Sequence, residues 1–254
     1  MKKLLAILLT LVMVFAFAAC GGSSNTSDGG EAEIESEANN TVSEKPEFFG
    51  SEDTVNITEG DFSYILTYKD SMVYVELNRY NGSDAVVDAT KKVNGFAITS
   101  ISLFAFDGCE TITTVKLPNG IPEIGVRTFS GCKALTTIEI PESVTTIMDN
   151  AFGNCTALTT IKIPDSVTAI KDSVFSGCLS LTSVTMSNNV TEIGDSAFYN
   201  CVKLTSIKIP DSVTKIGNDA FKYCDNLKTV YFSSETQKEK FKDCFSSDAN
   251  LIVE

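Results

Sequence analysis

The chain has 254 residues and a formal net charge of −13, and 43% of its residues are hydrophobic. It contains 16 Phe but no Trp and no His. Without histidine the chain lacks the side chain most used near neutral pH for general acid–base catalysis and zinc ligation, which removes most of the commoner enzyme mechanisms. The acidic balance argues against binding of nucleic acid or of an anionic membrane through a basic surface.

The N-terminus has the three-part layout of an export signal. Lys2 and Lys3 precede an apolar run at residues 4–19, which is shorter than the about 20 residues of a comfortable membrane span. Cys20 follows two small residues. This arrangement resembles a bacterial lipobox, which implies transfer of a diacylglyceryl group to Cys20 and cleavage before it. Phe17 stands where that family usually has an aliphatic residue, so ordinary secretion remains the alternative to a lipoprotein signal peptide at 1–19.

Residues 20–60 are predicted to form a disordered acidic tether. From Gly21 to Asp53 the chain is rich in Gly, Ser, Asn and Glu, with nine acidic residues against the single Lys45. So little apolar content cannot offset the conformational entropy lost on ordering. The tether would hold the domain that follows away from the membrane.

Residues 61–100 are predicted to form a β-structured N-terminal cap. Phe62 to Tyr68 and Met72 to Leu77 read as two strands joined at Lys69 and Asp70. Together with residues 85–98 they should close the first end of the repeat region that follows.

A 23-residue repeat occupies the region from 101 to 232. Six cysteines recur at this constant spacing, and each has a phenylalanine three positions before it. Such a fixed period is the signature of a solenoid, in which each coil buries its apolar face against its neighbours. The cysteines are Cys109, Cys132, Cys155, Cys178, Cys201 and Cys224, and the phenylalanines are Phe106, Phe129, Phe152, Phe175, Phe198 and Phe221.

The other positions of the repeat indicate one short strand per coil. Leu135, Ile138 and Ile140 mark a strand with one buried face, and Pro141 ends that strand because it lacks an amide donor. Valines equivalent to Val144 and isoleucines equivalent to Ile147 then fill the opposite wall.

Two further positions predict the backbone of the turn before each cysteine. Asp149, Asp172 and Asp195 stand where the N-cap of a short helical turn is expected. The residue before each cysteine is Gly or Asn in five coils, which predicts a left-handed backbone there. Tyr223 departs from this pattern, so altered geometry is expected in the last coil.

Residues 233–254 are predicted to form the C-terminal cap. Thr236 to Phe245 reads as a short helix, and Leu251 to Val253 reads as a last strand. Together they should cover the apolar end of the solenoid.

The consensus of the central unit is I-x-x-x-A-F-x-(G/N)-C-x-x-L-T-x-I-x-I-P-x-S-V-T-x, over about residues 101–232. It resembles the BspA-like leucine-rich repeat of bacterial surface proteins. The resemblance implies an α+β repeat solenoid: a right-handed leucine-rich-repeat coil with one short parallel strand per repeat. It also implies adhesion to host or neighbouring-cell proteins or glycans.

The cysteines admit three interpretations: disulfides, metal ligands or core residues. Equivalent residues of adjacent coils lie about 4.8 Å apart with parallel side chains, which suits a disulfide poorly. A parallel ladder also fails to converge on a metal ion. We therefore predict buried free thiols that act as small apolar side chains. Cys244 lies outside the repeat register and is the expected exception.

The solvent-facing positions of the strands form ladders that are predicted to be a binding surface. Threonines and serines fill two ladders, and Thr113, Thr136 and Thr159 begin the first. In the third ladder, neighbouring Lys and Glu are predicted to pair across strands. The plain alternative is a well-paired, soluble sheet surface. The third ladder consists of Lys116, Glu139, Lys162, Thr185, Lys208 and Tyr231.

Together these features predict a non-catalytic, lipid-anchored cell-surface binding protein whose partner is a protein or glycan. Neither a cofactor, a metal ion nor nucleic acid is expected, and the membrane is contacted only through the lipid on Cys20. The sequence contains no G-x-S-x-G, P-loop, G-x-G-x-x-G or HExxH motif. The alternatives are a structural envelope scaffold or assembly partner, and a hydrolase or solute-capturing lipoprotein.

Overall fold

The computed structural model describes residues 40–254. The predicted signal peptide, Cys20 and the tether up to residue 39 lie outside the described residues. The described part is a β-solenoid closed by a cap at each end, so the predicted repeat architecture is confirmed.

The N-terminal cap is an antiparallel meander that continues into the solenoid. Strands β1 (Thr54–Glu59), β2 (Phe62–Lys69) and β3 (Met72–Tyr80) pair in sequence order, and the short strand β5 (Ser100–Ile101) joins β3 in parallel. The two predicted strands are therefore confirmed, and a left-handed turn at Asp70 and Ser71 connects them. Strand β4 (Val86–Asp88) pairs with the first strand of the repeats.

The predicted tether ends too late in the chain, because residues 40–60 belong to this cap. A 3-10 helix at Glu47–Phe49 precedes β1, and the Phe49 ring is buried 6.0 Å from the ring of Tyr68. Val55 and Ile57 are half-buried on β1. The acidic residues between these side chains point outward. The acidic composition of the segment therefore led to a prediction of disorder, although its few apolar residues are enough to pack it against the cap.

Asn40 fixes the beginning of the described chain against the cap. Its amide group is buried; Nδ2 donates to the carbonyl oxygens of Val73 (2.9 Å) and Ala97 (2.8 Å). Its Oδ1 accepts from the backbone N–H of Ala97 at 3.0 Å. A buried amide with all these bonds satisfied ties β3 to the loop before the first coil.

Most coils contain two short parallel strands, one more than the sequence predicted. The first lies at the predicted position, and the second begins the opposite wall. The strands of the first set are β6 (Thr114–Lys116), β9 (Thr160–Lys162), β11 (Ser183–Thr185), β13 (Ser206–Lys208) and β15 (Thr229–Phe232). The strands of the second set are β7 (Glu123–Ile124), β8 (Thr146–Ile147), β10 (Ala169–Ile170), β12 (Glu192–Ile193) and β14 (Lys215–Ile216).

The second set forms a continuous five-stranded parallel sheet, here called the rear sheet. Its register joins residues exactly one repeat apart, as with Ile147, Ile170 and Ile193. The first set is divided instead. Strand β6 pairs with β4, β9 pairs with β11, and β13 pairs with β15, while residues 137–142 form no strand.

The six repeated phenylalanines form a stack of rings through the interior, here called the aromatic spine. Adjacent ring centroids lie 5.0–5.6 Å apart, and the planes lie within 16° of parallel. Both caps extend it: Tyr80 lies 5.7 Å before Phe106, and Phe245 lies 4.9 Å beyond Phe221. The caps thus cover the two ends of the solenoid with rings that continue its own packing.

The repeated cysteines are free thiols, as predicted, and all but Cys109 are buried. They also do more than fill space. The Sγ atom of each cysteine from Cys132 to Cys224 donates to the carbonyl oxygen of the phenylalanine 26 residues earlier, at 3.0–3.3 Å. Burial raises the pKa of Cys155 to about 12, so that thiol is neutral at physiological pH. Cys244, the expected exception, is half-buried and also free.

The predicted helix N-cap role of Asp149, Asp172 and Asp195 is wrong. No helix follows them, because the next residue in each coil, such as Ser173, adopts a left-handed backbone (φ 57°) that interrupts helical geometry. Each carboxylate instead accepts the backbone N–H of the equivalent residue one coil later. The distances are 3.2, 2.8 and 2.7 Å in chain order.

The left-handed backbone predicted before each cysteine is present in all six coils. Gly131 and Asn154 have φ values of 71° and 59°. Tyr223 was expected to differ but has φ of 61°. The geometry of the turn is therefore imposed by stacking on the preceding coil, and it is imposed even on a residue that disfavours it.

The C-terminal cap consists of helix α1 (Glu235–Phe241), a 3-10 helix (Lys242–Cys244) and strand β16 (Asn250–Val253), close to the predicted helix and strand. Ser234 caps the helix by accepting the N–H of Gln237 at 3.2 Å, and β16 pairs in parallel with β15. The buried Gln237 side chain donates Nε2 to the carbonyl oxygen of Pro210 at 2.7 Å. None of the helices formed by residues 40–254 has the length and apolarity needed to cross a bilayer.

Candidate binding surface

The strand face is the exposed surface that the third ladder occupies, and the structure brings its members together in pairs. Lys162 on β9 lies opposite Thr185 on β11, and Lys208 on β13 lies opposite Tyr231 on β15. Lys116 on β6 lies opposite Asp88 of the cap. Of the six predicted residues, only Tyr231 is half-buried, and the other five are exposed.

The predicted pairing of Glu139 with Lys116 and Lys162 across the strands is wrong. Lys162 Nζ instead lies 3.0 Å from Oε1 of Glu142, which follows the proline at the end of the preceding coil's strand segment. Lys208 Nζ lies 2.7 Å from Oε2 of Glu254, beyond β16. Residues 137–142 form no strand, so Glu139 is not held opposite either lysine as a regular ladder would require.

Both ion pairs are exposed and contribute little to stability. The hydrogen bond that Lys162 donates to Glu142 raises the pKa of Lys162, and the hydrogen bond that Lys208 donates to Glu254 raises the pKa of Lys208. Solvent screens exposed pairs of this kind, so they add almost nothing to the free energy of unfolding. Their charges remain accessible to a partner that offers better-placed groups.

The first threonine ladder is engaged by the protein itself. Thr136, Thr159 and Thr182 each donate Oγ1 to the carbonyl oxygen of the equivalent residue one coil earlier, at 3.0–3.2 Å. Their hydroxyl protons are therefore already used in hydrogen bonds between adjacent coils. Binding chemistry on this face is left mainly to the charged and aromatic positions.

A groove of about 340 Å³ opens where the first set of strands is interrupted. Glu139 and Lys162, two of the predicted residues, line it together with Glu142. The apolar part of its lining includes Ile140 and Pro164. Where the strands are interrupted, the surface is therefore concave, and both acidic and basic side chains line it.

The described residues offer little for catalysis or metal binding. Within residues 40–254 no three Cys, Asp or Glu side chains are arranged to hold a metal ion. Burial also raises the pKa of the Cys155 and Cys178 thiols, which makes them poor nucleophiles.

Two features of the surface escaped the sequence analysis. Glu142 gave no distinct signal in the sequence, because Asp165 and Asp211 occupy the same position in other coils, where a turn follows the strand. The second feature lies at the C-terminal cap. There Tyr223 is 51% exposed beside a cavity of about 510 Å³, and the sequence shows only that it replaces Gly or Asn.

These features define the class of protein: a capped parallel solenoid of the leucine-rich-repeat type. The chain belongs to the BspA-type leucine-rich repeat family. The family description, BspA type leucine rich repeat region, matches in six copies over residues 93–191 and 145–252, which together are more than half of the chain.

Solved structures with the same fold include two with more than a quarter of residues identical. A leucine rich cell surface protein from Faecalibacterium prausnitzii is 29% identical with a TM-score of 0.60, and the match covers 76% of this chain but 56% of that one. This chain therefore spans little more than half the length of that relative. The T. pallidum leucine rich repeat protein is 26% identical with a TM-score of 0.57, and the match covers 77% of this chain and 99% of that one.

A more distant structure shares the fold alone. The pneumococcal vaccine antigen PcpA is 20% identical with a TM-score of 0.50, and the match covers 74% of this chain and 47% of that one. No curated protein sequence matches the chain.

Proposed function

We propose that this chain is a non-catalytic binding protein of the bacterial cell surface that adheres to a protein or glycan of a host or a neighbouring cell. The observation that carries the proposal is the groove lined by Glu139, Glu142 and Lys162 in an otherwise repetitive strand face. A partner with complementary charges replaces the weak exposed ion pair between Glu142 and Lys162 by contacts of its own. The similar protein from Faecalibacterium is described as a cell surface protein, which supports the location.

The proposed anchor is a lipid on Cys20. The lipobox-like residues before it support this part of the proposal. A Cys20→Ala variant expressed in the native host should move from the membrane fraction to the medium or stay uncleaved. Labelling with a radioactive fatty acid should mark the natural chain and not the variant. Label on the variant, or none on either, would remove the anchor from the proposal.

Surface location is tested on intact cells. Protease treatment should release peptides of residues 101–232 from live cells while a cytoplasmic control protein stays intact. If those peptides appear only after lysis, the adhesion proposal fails and an envelope scaffold replaces it.

Adhesion is tested by incubating the purified chain with panels of matrix proteins, mucins and glycans. The strand-face variant changes Lys116, Glu139, Lys162 and Lys208 to Ala. Because all four side chains are exposed, it should fold normally and lose most of the binding. A matched control changes Lys171, Glu192 and Lys215 to Ala, which alters exposed charge near the rear sheet and should leave binding intact. Equal loss in both variants would move the site off the strand face.

A further inference from the structure

We infer that a second binding site, for one uncharged sugar unit of a glycan, lies at the last coil around Tyr223. It rests on the proposed binding role but uses a different surface from the strand face. Three features of the described residues support it: an aromatic residue in an unfavourable backbone position, the edge-on contact of its exposed ring with the half-buried ring of Tyr199, and a polar cavity beside them.

The first feature is the backbone of Tyr223. The five equivalent residues in the other coils are Gly or Asn, which tolerate a left-handed backbone, whereas Tyr223 adopts it (φ 61°) with a full aromatic side chain. Its side chain is not used to fill the core, since it remains 51% exposed. Stacking imposes this backbone on every coil, but it does not require an aromatic side chain, because Gly and Asn adopt it in the other five coils.

The second feature is the surroundings of the Tyr223 ring. The ring of Tyr199 meets it edge-on, with centroids 5.1 Å apart and an interplanar angle of 88°. Lys222 Nζ lies 5.7 Å from the Tyr223 centroid. Tyr199 occupies the place that Ser176 holds one coil earlier, so both aromatic residues depart from small residues at the same corner of the coil.

The third feature is the cavity between the last coil and the C-terminal cap. Its volume of about 510 Å³ falls within the range of about 300–1,000 Å³ typical of ligand clefts. Tyr223 and Lys222 line it, together with Asp219 and Asp225 from the coil and Asp243 and Asp248 from the cap side. The exposed ring thus stands at the edge of a concave, polar space.

The charges of the lining select the class of ligand. Lys222 pairs with Asp219 at 3.1 Å, and Lys228 approaches Asp248 at 3.9 Å. An anionic ligand would meet four carboxylates, and a cationic ligand would have to displace the Lys222 ammonium group, which already lies over the Tyr223 ring. An uncharged ligand with many hydroxyl groups avoids both penalties.

A pyranose unit satisfies all three features. One face of the sugar ring presents C–H groups that pack on the exposed part of Tyr223, as apolar groups do on aromatic faces. Its hydroxyl groups donate to carboxylates, and within residues 40–254 Asp225 and Asp243 take no part in an ion pair that would compete. Lys222 Nζ is a donor for the sugar oxygens.

The test uses the full chain and saturation-transfer NMR with four neutral disaccharides, namely lactose, cellobiose, mannobiose and N-acetyllactosamine, beside tetramethylammonium and inorganic phosphate. The decisive variant is Tyr223→Asn, because Asn154 and Asn200 show that this residue fits the same backbone. It should keep or raise the melting temperature while weakening sugar binding about tenfold or more. Tyr199→Ser should weaken binding in the same direction.

The matched control is Phe104→Asn. Phe104 is also an exposed aromatic residue with a left-handed backbone and a cation over its ring, that of Arg127 at 5.7 Å, but it belongs to the first coil. This variant should bind the sugars as the natural chain does. Loss of binding in Phe104→Asn equal to that in Tyr223→Asn would overturn the site.

The remaining outcomes also decide the matter. The inference is overturned if no disaccharide binds, if only tetramethylammonium or phosphate binds, or if Tyr223→Asn binds normally. A large fall in melting temperature for Tyr223→Asn would show that the ring is structural, which also overturns it. If the adhesion panel stays positive through the strand face while every disaccharide fails, this inference alone is lost and the proposed function stands.

Discussion

The aromatic spine and the strand face follow the same 23-residue period, yet they differ in how strictly they keep it. Along the spine every coil contributes a Phe ring, and all neighbouring centroids lie 5.0–5.6 Å apart. At the corresponding outer position the coils present, in turn, Lys, Glu, Lys, Thr, Lys and Tyr. The interior must repeat because each coil is packed only by copies of itself. The exposed face carries no such requirement, so variation there is available for recognition.

The largest expected effect comes from breaking the spine in its middle. Phe152→Ala should lower the free energy of unfolding by about 3–5 kcal/mol, because a buried ring is lost and its neighbours cannot close the gap. Urea denaturation followed by circular dichroism measures the change. Phe152→Leu should cost less, since it leaves a smaller cavity. Equal and small losses in both variants would mean that the coils do not depend on continuous ring stacking.

The next effect concerns the thiols and pH. Burial raises the pKa of Cys155 from 9.0 to about 12. Below pH 9 the thiol is neutral in both the folded and the unfolded chain. Between pH 9 and 12 only the unfolded chain ionises there, so this residue lowers the free energy of unfolding by about 1.4 kcal/mol for each pH unit.

Cys155→Ala isolates this contribution. At pH 8 the variant should be about 1–2 kcal/mol less stable than the natural chain, because it loses the S–H hydrogen bond and some packing. As the pH rises above 9 the difference should shrink and then reverse. A difference that stays constant from pH 8 to pH 11 would contradict the raised pKa. Denaturation of both chains by urea at several pH values supplies the comparison.

A smaller effect on the free energy of unfolding is expected from the aspartates that follow the strands of the rear sheet. Asp172→Ala removes the carboxylate that accepts the N–H of Asp195 at 2.8 Å and should cost about 1 kcal/mol. Asp172→Asn keeps an oxygen acceptor and should cost less. Thermal unfolding distinguishes the two variants. An equal loss in both would indicate that the charge matters rather than the hydrogen bond.

The smallest effect belongs to the strand face. Lys162→Ala should leave the free energy of unfolding almost unchanged, because the ion pair of Lys162 with Glu142 is exposed and screened by salt. Urea denaturation at low and high salt measures the change. A loss comparable with that of Phe152→Ala would erase the contrast between the two regions.

The sequence was sufficient for the features that the repeat imposes on every coil. The stacked rings of Phe106 to Phe221, the buried free thiols and the left-handed residue before each cysteine all follow from one rule. The rule is that each position of a coil packs against the equivalent position of the next coil. Two paired strands of the N-terminal cap and the C-terminal helix were likewise predicted close to their observed positions.

The remaining features depend on contacts that periodicity does not encode. Asn40 is a single polar residue in an acidic segment, and only its three hydrogen bonds show that it belongs to the cap. The partner of Lys162 depends on where residues 137–142 leave the regular strand. Tyr223 showed as an exception in the sequence, but the cavity beside it is formed with residues from a different part of the chain.

Equal steps along the stack make the coil an interchangeable building block. Excising residues 155–177 would join Asn154 directly to Cys178 and leave every position in phase. Tyr80 and Phe245 would still rest on the same first and last rings, and the molecule would shorten by one ring spacing. Lineages that gain or lose whole 23-residue modules can therefore alter the reach of such a protein without redesigning either of its ends.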